Sequence, residues 1–398
     1  MIRISQRVAA LAQSATLAMS QKSSELIAEG IDIVNMSVGE PDFNTAGFIK
    51  EAAKKAIDND FSRYTPVAGY LSLRQAICRK LKRENNLDYR PEQIVVGNGA
   101  KQALCNVLLA VVDPGDEVII PTPAWVSYME MVRLSEGKVV EVPVGIEHGF
   151  KITPELLRRA ITPATKVVML NSPSNPTGAV YSRPELAALA EVLAEYPDIL
   201  ILTDDIYEHI SYVGKVASIA EFPQIGNRTV VVNGVSKAYA MTGWRIGYMA
   251  GPEEVAAAVC KLQGQYTSGP SSIAQKAAEA AYDGEQHCVE EMREAFEHRR
   301  DLIVRLASEI PGWRFLRPDG AFYLFPDVTY YIGKTRPDGI RIDTSADYVM
   351  YLLEEAHVAV VDGASFGAPG YVRLSYACSE SDIKKAMKRI SDASARLT

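Results

Sequence analysis

Long apolar runs are missing from this chain of 398 residues; none approaches the roughly 20 consecutive apolar positions that a membrane-spanning helix needs. The opening stretch, MIRISQRVAALAQSATLAMSQKSSELIAEG, is polar and amphipathic and lacks the apolar core of a secretory signal. A cytoplasmic protein without a membrane partner is therefore expected. Basic tracts are lacking too. Lysine and arginine total 42 against 49 acidic residues, a formal net charge of -7, and no cationic arm stands out, which argues against nucleic acid as a partner. Cysteine is sparse and unpatterned. Cys78, Cys105, Cys260, Cys288 and Cys378 form no C-x-x-C pair, and an odd number fits a reducing compartment better than a disulfide framework. The five histidines are dispersed, with no H-x-x-x-H spacing and no Cys/His cluster, so no metal site is expected. Internal repeats and low-complexity segments are also absent.

What is present is an ordinary globular composition, 47% hydrophobic and 23% charged, in a chain too long for one compact core. One large and one small domain are expected. From Gln93 to about Ala250, short apolar runs alternate with helical stretches. The strands read as IVVG (94–97), EVII (117–120), KVVEV (138–142), KVVML (166–170), ILILT (199–203) and TVVV (229–232). Helical stretches fall around 101–112, 126–135, 154–160 and 184–195. This rhythm predicts an α/β domain on a mostly parallel sheet, punctuated by turns at Pro114-Gly115-Asp116, Pro121-Thr122-Pro123 and Asn175-Pro176-Thr177-Gly178. Beyond Cys288 the texture changes. A long charged helix (290–310), an aromatic strand region (313–325), a helix and strand (345–356, 357–361), YVRLSYA and a terminal amphipathic helix predict a smaller α+β domain. The expected division is 1–45 for an N-terminal arm and part of the small domain, 46–288 for the large domain and 289–398 for the small C-terminal domain. Residues 1–45 would return to the last segment, as the termini of a discontinuous domain often meet.

The densest chemistry lies in TVVVNGVSKAYAMTGWRIGY (229–248). Lys237 follows Ser236 on the loop after a buried strand and an Asn233-Gly234 turn, with Arg245 eight residues further on. A lysine set in apolar sequence is a candidate for a depressed pKa and Schiff-base chemistry; the plainer alternative is a solvated surface lysine. Strand ILILT runs into Asp204-Asp205-Ile206-Tyr207. Ligands of open α/β sheets sit at the carboxyl ends of strands, and a carboxylate buried there needs a cation. A protonated pyridine nitrogen is one such partner; a helix N-cap or a magnesium ligand is the alternative for Asp204. Gly97-Asn98-Gly99-Ala100-Lys101-Gln102 follows a strand and opens a helix. Its free N–H groups suit a monophosphate better than a pyrophosphate, because the third glycine of a dinucleotide fingerprint is missing. Asn175 stands in a Pro-flanked turn, either as an amide donor or simply as a turn residue. Arg373 alternates with apolar residues in YVRLSYA, and needs either a substrate carboxylate or a neighbouring acid.

In this order and at these spacings the motifs resemble those of the class I/II aminotransferases, the fold-type I enzymes that depend on pyridoxal 5'-phosphate. The resemblance spans nearly the whole chain: SVGEPDF (37–43), SRYTPVAGYLSLRQAI (62–77), DPGDEVIIPTPAW (113–125), NPTG (175–178), D-x-x-Y (204–207), SKAYAMTGWRIGY (236–248) and YVRLSYA (371–377). The short arm SATLAMSQK (14–22) is similar to that of the bacterial aspartate aminotransferase branch. The resemblance implies an α/β fold, a large domain with a mostly parallel central sheet plus a smaller α+β domain. It implies that Lys237 bonds the cofactor and then moves the substrate proton, that Asp204 pairs with the pyridinium nitrogen, and that Tyr207 and Asn175 hydrogen-bond the ring 3-oxygen. Trp125 would stack on the ring. Gly99, Ala100, Lys101, Ser236 and Arg245 would hold the phosphate, joined by the partner subunit's Tyr64, which implies a homodimer with shared sites. Arg373 would clamp the substrate α-carboxylate, helped by Asn175 and the Gly39 backbone.

The reaction so implied converts L-aspartate and 2-oxoglutarate into oxaloacetate and L-glutamate. Recognition of a second carboxylate needs a further cation or a set of polar donors. Relatives in this branch place a basic residue just before the S-A-T run, whereas this chain has Ala12 and Gln13 there. That departure bears on dicarboxylate and prephenate recognition alike, and leaves Thr16 as a polar contact on the arm. An aromatic or broad specificity is the alternative within the class; a C–S lyase or decarboxylase using the same Lys237 and Asp204 is the alternative outside it. A sensor built on this fold would carry an added DNA-binding domain, and no basic helix-turn-helix segment is seen.

Overall fold

A two-residue strand, β1 (Val34–Asn35), precedes the apolar segments that build the main sheet. These are β2 (Ile94–Gly97), β3 (Glu117–Thr122), β4 (Lys138–Pro143), β5 (Thr165–Asn171), β6 (Leu200–Asp204), β7 (Thr229–Gly234) and β8 (Gly247–Ala250). In this computed structural model, which describes residues 2–398, they form one seven-stranded sheet in the order β2-β8-β7-β6-β5-β3-β4. The pairs β3/β4, β3/β5, β5/β6 and β6/β7 are parallel; β8 runs antiparallel to both β2 and β7. The expected mostly parallel α/β sheet is the one observed.

Each central strand reads as a continuous apolar run because both faces are covered by helices. Alternation then sorts the side chains. Val167, Met169, Leu202, Val230 and Val232 face one core with Leu104, Val107 and Leu108 of the helix Ala100–Val111. Val168, Leu170 and Ile201 face another with Leu186, Leu189 and Leu193 of the helix Arg183–Ala194. A third cluster packs Ile94, Val96 and Tyr248 against the helices Leu71–Asn85 and Ser272–Asp283. Each fully buried aliphatic side chain contributes about 1.5–3 kcal/mol of transfer free energy, so the sheet is rigid enough to fix what its loops carry.

The remaining strands are short. β9 (Tyr323–Leu324), β11 (Val361–Asp362) and β12 (Val372–Ser375) form an antiparallel sheet in the order β11-β12-β9. β10 (Val358–Ala359) pairs in parallel with β1, matching Val34 to Val358. The helices His287–Ala307, Ser345–Glu355 and Glu380–Ser394 surround them, with Phe296, Phe322, Tyr348, Leu374 and Ile390 in the shared core. The first residues of the chain thus join its last third: the Ser375 N–H donates to the Met36 carbonyl at 2.7 Å.

Two expectations need correction. The aromatic stretch 313–325 is not a continuous strand; only Tyr323–Leu324 joins a ladder, and Arg314 makes a single bridge to Asp327. Pro318-Asp319-Gly320 interrupts it, since proline removes a ladder donor. Strand β8, in turn, was not foreseen. Its four residues are too few to show a period, and its place depends on the two antiparallel neighbours that flank it. Among the described residues no helix is long and apolar enough to cross a membrane.

Candidate active site

The parallel strands β5, β6 and β7 all end at one edge; Asp204 closes β6, and the loops after the three strands carry Asn175, Tyr207, Ser236 and Lys237. A cavity of about 340 Å³ opens there. Thr16, Gly39, Ala100, Lys101, Trp125, Asn175, Asp204, Tyr207, Ser236, Lys237, Arg245 and Arg373 line it, so residues far apart in sequence are brought together. A larger cleft of about 820 Å³ lies behind the Asp204 loop, and none of the expected site residues lines it.

Lys237 is half-buried in the wall of the cavity, and its Nζ donates to the Gly39 carbonyl at 2.5 Å. Burial pulls its ammonium down to about 8; Arg373 and Arg245 push the same way, while Glu40 and Asp204 oppose them. A lysine in that range deprotonates readily near neutral pH. The surface-lysine alternative is thereby removed.

Asp204 is the last residue of β6 and is buried. Its Oδ2 accepts from the Tyr128 hydroxyl at 2.7 Å and its Oδ1 from the Ile206 N–H at 3.2 Å. Burial raises its carboxyl to about 6, against the opposing pull of Tyr128, the Ile206 N–H and Lys237. Asn171 Nδ2 donates to the Asp204 carbonyl at 2.7 Å, fixing the strand end. The carboxylate has two donors and no adjacent cationic hydrogen-bond partner, which leaves it a natural seat for one. The neighbouring Asp205 points elsewhere, toward the hydroxyls of Thr203 and Ser218 at 2.6 and 2.8 Å.

At the other end of the cavity the helix Ala100–Val111 begins after Gly99, whose φ is +85°. The first N–H groups of a helix have no intrahelical acceptor, and the axial dipole favours an anion there. Arg245 Nη1 donates to the Thr242 carbonyl at 2.7 Å and Nη2 to the Asn98 carbonyl at 3.3 Å, which holds the guanidinium against Gly99. A Cβ on Gly99 would collide with that guanidinium, so the close approach requires glycine. The helix N-terminus, Ser236 and Arg245 line the same cavity, an arrangement that suits an anion.

Arg373 is fully enclosed. Nη1 donates to Asn175 Oδ1 at 2.9 Å and Nη2 to the Ser37 carbonyl at 2.6 Å, while its plane lies 4.5 Å from the Tyr323 ring centroid. No carboxylate pairs with it among the described residues, and its Nε has no partner. A buried arginine without an acid has its charge available to an external carboxylate. The Asn175 amide oxygen serves Arg373, which leaves its nitrogen to donate. The Tyr207 hydroxyl lies 2.7 Å from that of Tyr323. Trp125 packs edge to face on Tyr128 at 5.4 Å, and Lys101 Nζ stands 4.8 Å from the Trp125 ring centroid. Tyr64, at 98% exposure, is outside this cavity, as is Ala12, whose N–H caps Glu130 at 3.0 Å. Thr16 does line the cavity, with a buried and unpartnered Oγ1.

Tyr128, Tyr323 and Asn171 escaped the sequence reading. Tyr128 looks like one more apolar residue of a short amphipathic helix, and only the fold places its hydroxyl on Asp204.

The residues present fit pyridoxal phosphate: an anion cradle, a flat indole, a buried strand-end carboxylate and a lysine of lowered basicity surround one cavity of suitable size. Fold and site together define a fold-type I aminotransferase. The family model "Aminotransferase class I and II" matches residues 31–390, and this chain belongs to that family. An aspartate/prephenate aminotransferase of Nitrosomonas europaea is 50% identical over 393 residues, covering 98% of this chain and 99% of that protein. The crystal structure of the aspartate aminotransferase of Rhizobium meliloti superimposes with a TM-score of 0.97 at 45% identity, with 100% of each chain covered. The aspartate aminotransferase of Thermus thermophilus, solved with maleate, gives a TM-score of 0.93 at 44% identity, covering 99% of this chain and 100% of that one.

Proposed function

We propose that this aminotransferase moves the amino group of L-aspartate to 2-oxoglutarate, giving oxaloacetate and L-glutamate by a ping-pong mechanism with pyridoxal 5'-phosphate. The observation that carries this reading is the set of three cations around Lys237, namely Arg245, Arg373 and Lys101. Arg245 and the helix N-terminus suit the phosphate, and Arg373 suits the α-carboxylate common to all amino acids. Lys101 remains for the distal carboxylate. Its backbone N–H belongs to the anion cradle, but its side chain leans on Trp125 toward the cavity and makes no hydrogen bond among the described residues. This supplies the second cation that Ala12 and Gln13 do not, and Thr16 adds a free hydroxyl.

When bound, the cofactor supplies an electron sink for the pair left behind as the substrate Cα loses its proton. The chain's own residues do the rest. Asp204 holds the ring nitrogen's proton, and Tyr128 keeps that carboxylate ionised. Tyr207 and Asn175 orient the ring oxygen edge, and Trp125 covers one face. Arg373, with Asn175 and the Gly39 backbone, fixes the α-carboxylate so that the Cα proton points at Lys237. Lys237, whose ammonium loses its proton at about pH 8, takes the Cα proton on Nζ in its neutral form and returns it. The relatives named for aspartate and the one bearing maleate, a dicarboxylate, support the substrate class.

The fully exposed Tyr64 supports a homodimer in which the partner subunit's Tyr64 completes the phosphate site. We further propose the division 1–45, 46–288 and 289–398, and a cytoplasmic setting, which suits five unpaired cysteines. The test is a panel of amino donors against 2-oxoglutarate with purified chain and cofactor. Stoichiometric oxaloacetate from aspartate is expected. Reaction of phenylalanine or tyrosine but not aspartate would overturn the substrate, and release of ammonia and pyruvate would replace transamination with a lyase.

A further inference from the structure

Behind the catalytic loops lies a buried ionic network that the chemistry above does not use. Lys80, on the helix Leu71–Asn85, is almost completely enclosed, and its ammonium meets Glu208, Asn85 Oδ1 at 2.7 Å and Glu84 at 3.4 Å. Glu208, whose side chain is 8% exposed, also accepts from Asn85 Nδ2 and from Asn233 Nδ2, the latter at 2.6 Å on Oε1. Asn233 Oδ1 in turn accepts from the Gly234 N–H at 2.7 Å. His209 closes the outer side, with Nε2 at 2.9 Å from Glu84 and Nδ1 at 3.7 Å from Glu208.

The placement of these groups is what matters. Glu208 follows Tyr207 directly and stands four residues after Asp204. Asn233 lies at the end of β7, four residues before Lys237. The two halves of the site therefore leave adjacent strands on separate loops, and Asn233 to Glu208 is a side-chain bond between them. The large cleft is lined by Glu84, Asn85, Glu208 and His209, so this side of the two segments faces an open space and is held by these bonds, in addition to the Asp205 N–H that donates to the Val232 carbonyl at 2.9 Å. A buried ion pair gives little net stability over an apolar replacement of the same shape, whereas a fully satisfied one fixes geometry. The Lys80 ammonium donates to Glu208 and Asn85 and lies within ion-pair reach of Glu84, and both Glu208 oxygens have donors.

We infer that Glu208, held by Lys80 and Asn85 and bonded to Asn233, is a positioning residue that sets the Lys237 loop against the Asp204–Tyr207 loop. The inference rests on the proposed transamination, and its test separates the two. Asn233→Ala cuts the loop-to-loop bond and leaves the charge pair whole; Glu208→Gln removes the charge. Each is compared with the parent chain well below its unfolding temperature. In the cofactor-free protein, amide hydrogen exchange over 234–242 should quicken roughly tenfold in Asn233→Ala, a local change that requires no global loss. With cofactor, Kd for pyridoxal phosphate should rise and kcat for aspartate should fall, each roughly tenfold, with KM within about twofold. Glu208→Gln should move the same three readouts in the same direction. If Asn233→Ala lowers only Tm and leaves exchange, Kd and kcat within about twofold of the parent, the positioning role is overturned, and this variant decides the matter even if Glu208→Gln does not fold. A parent chain that binds no pyridoxal phosphate would instead overturn the transamination reading, while the exchange result would still judge the clamp.

Discussion

Changing Tyr128 to Phe removes one oxygen atom and keeps the ring that packs on Trp125. That oxygen is 2.7 Å from Asp204 Oδ2, and both groups are buried. A hydrogen bond to a charged group contributes about 1.5–3 kcal/mol. Since about 1.4 kcal/mol is a factor of ten, the acid dissociation constant of Asp204 should fall roughly 10- to 150-fold. The parent carboxyl, raised to about 6 by burial, is mostly ionised at pH 7.5. The variant's would be protonated there to an extent that grows from about a quarter at the tenfold shift to most of the population at the 150-fold shift, and correspondingly less able to keep a ring nitrogen positive. The assay is pyridoxal phosphate affinity and kcat/KM for aspartate from pH 5.5 to 9. Parent and variant should converge at the alkaline end and separate by tenfold or more on the acid side, with the variant's acid limb displaced upward. Superimposable profiles would refute the view that Tyr128 holds Asp204 in its ionised form.

Three further outcomes are expected. Lys237→Ala should abolish steady turnover, and borohydride should trap no cofactor on the peptide around position 237; wild-type turnover would remove the assignment. Lys101→Met should lower kcat/KM for aspartate roughly 10- to 100-fold and that for phenylalanine by less than about threefold, since only the former has a distal carboxylate, whereas Arg373→Ala should raise KM for both. In the cofactor-free chain, Asp204 ionises at about 6 instead of 3.8, so the folded state holds the extra proton between those values and this residue's contribution to stability falls as pH rises through that window. Asp204→Asn should therefore be more stable than the parent above pH 6, by about 3 kcal/mol at most, and lose that advantage below pH 4, as read from Tm against pH.

The central sheet was legible because strands covered on both faces must be apolar throughout, so Val167–Leu170 and Val230–Val232 announce themselves. The site residues that sit just past those strands, Asp204 and Lys237, were legible for the same reason: a polar group directly after a buried run has to be explained. Residues whose purpose depends on a distant partner were not. Tyr128 reads as packing until Asp204, 76 positions away, is placed beside it. Tyr323 reads as a strand aromatic, though its hydroxyl meets that of Tyr207. Lys80 reads as a surface lysine of a charged helix, because nothing local shows that Glu208 and Asn85 enclose it. β8 and the interrupted stretch before β9 belong to the same category, since a two- to four-residue strand is decided by its neighbours rather than its own pattern.

The parallel pairing of Val34 with Val358, and the grip of Arg373 on the Ser37 carbonyl, carry a consequence for biosynthesis. Chains fold progressively as they emerge from the ribosome, so the seven-stranded sheet has all its strands by residue 250 and is free to assemble around Lys237 early. The surroundings of Arg373 are different, because Ser37 is made among the first residues and Arg373 itself near the last. A nascent polypeptide thus carries Lys237 through roughly the last third of translation before Arg373 is made, and the surroundings of that arginine close only when the two distant ends of the chain meet.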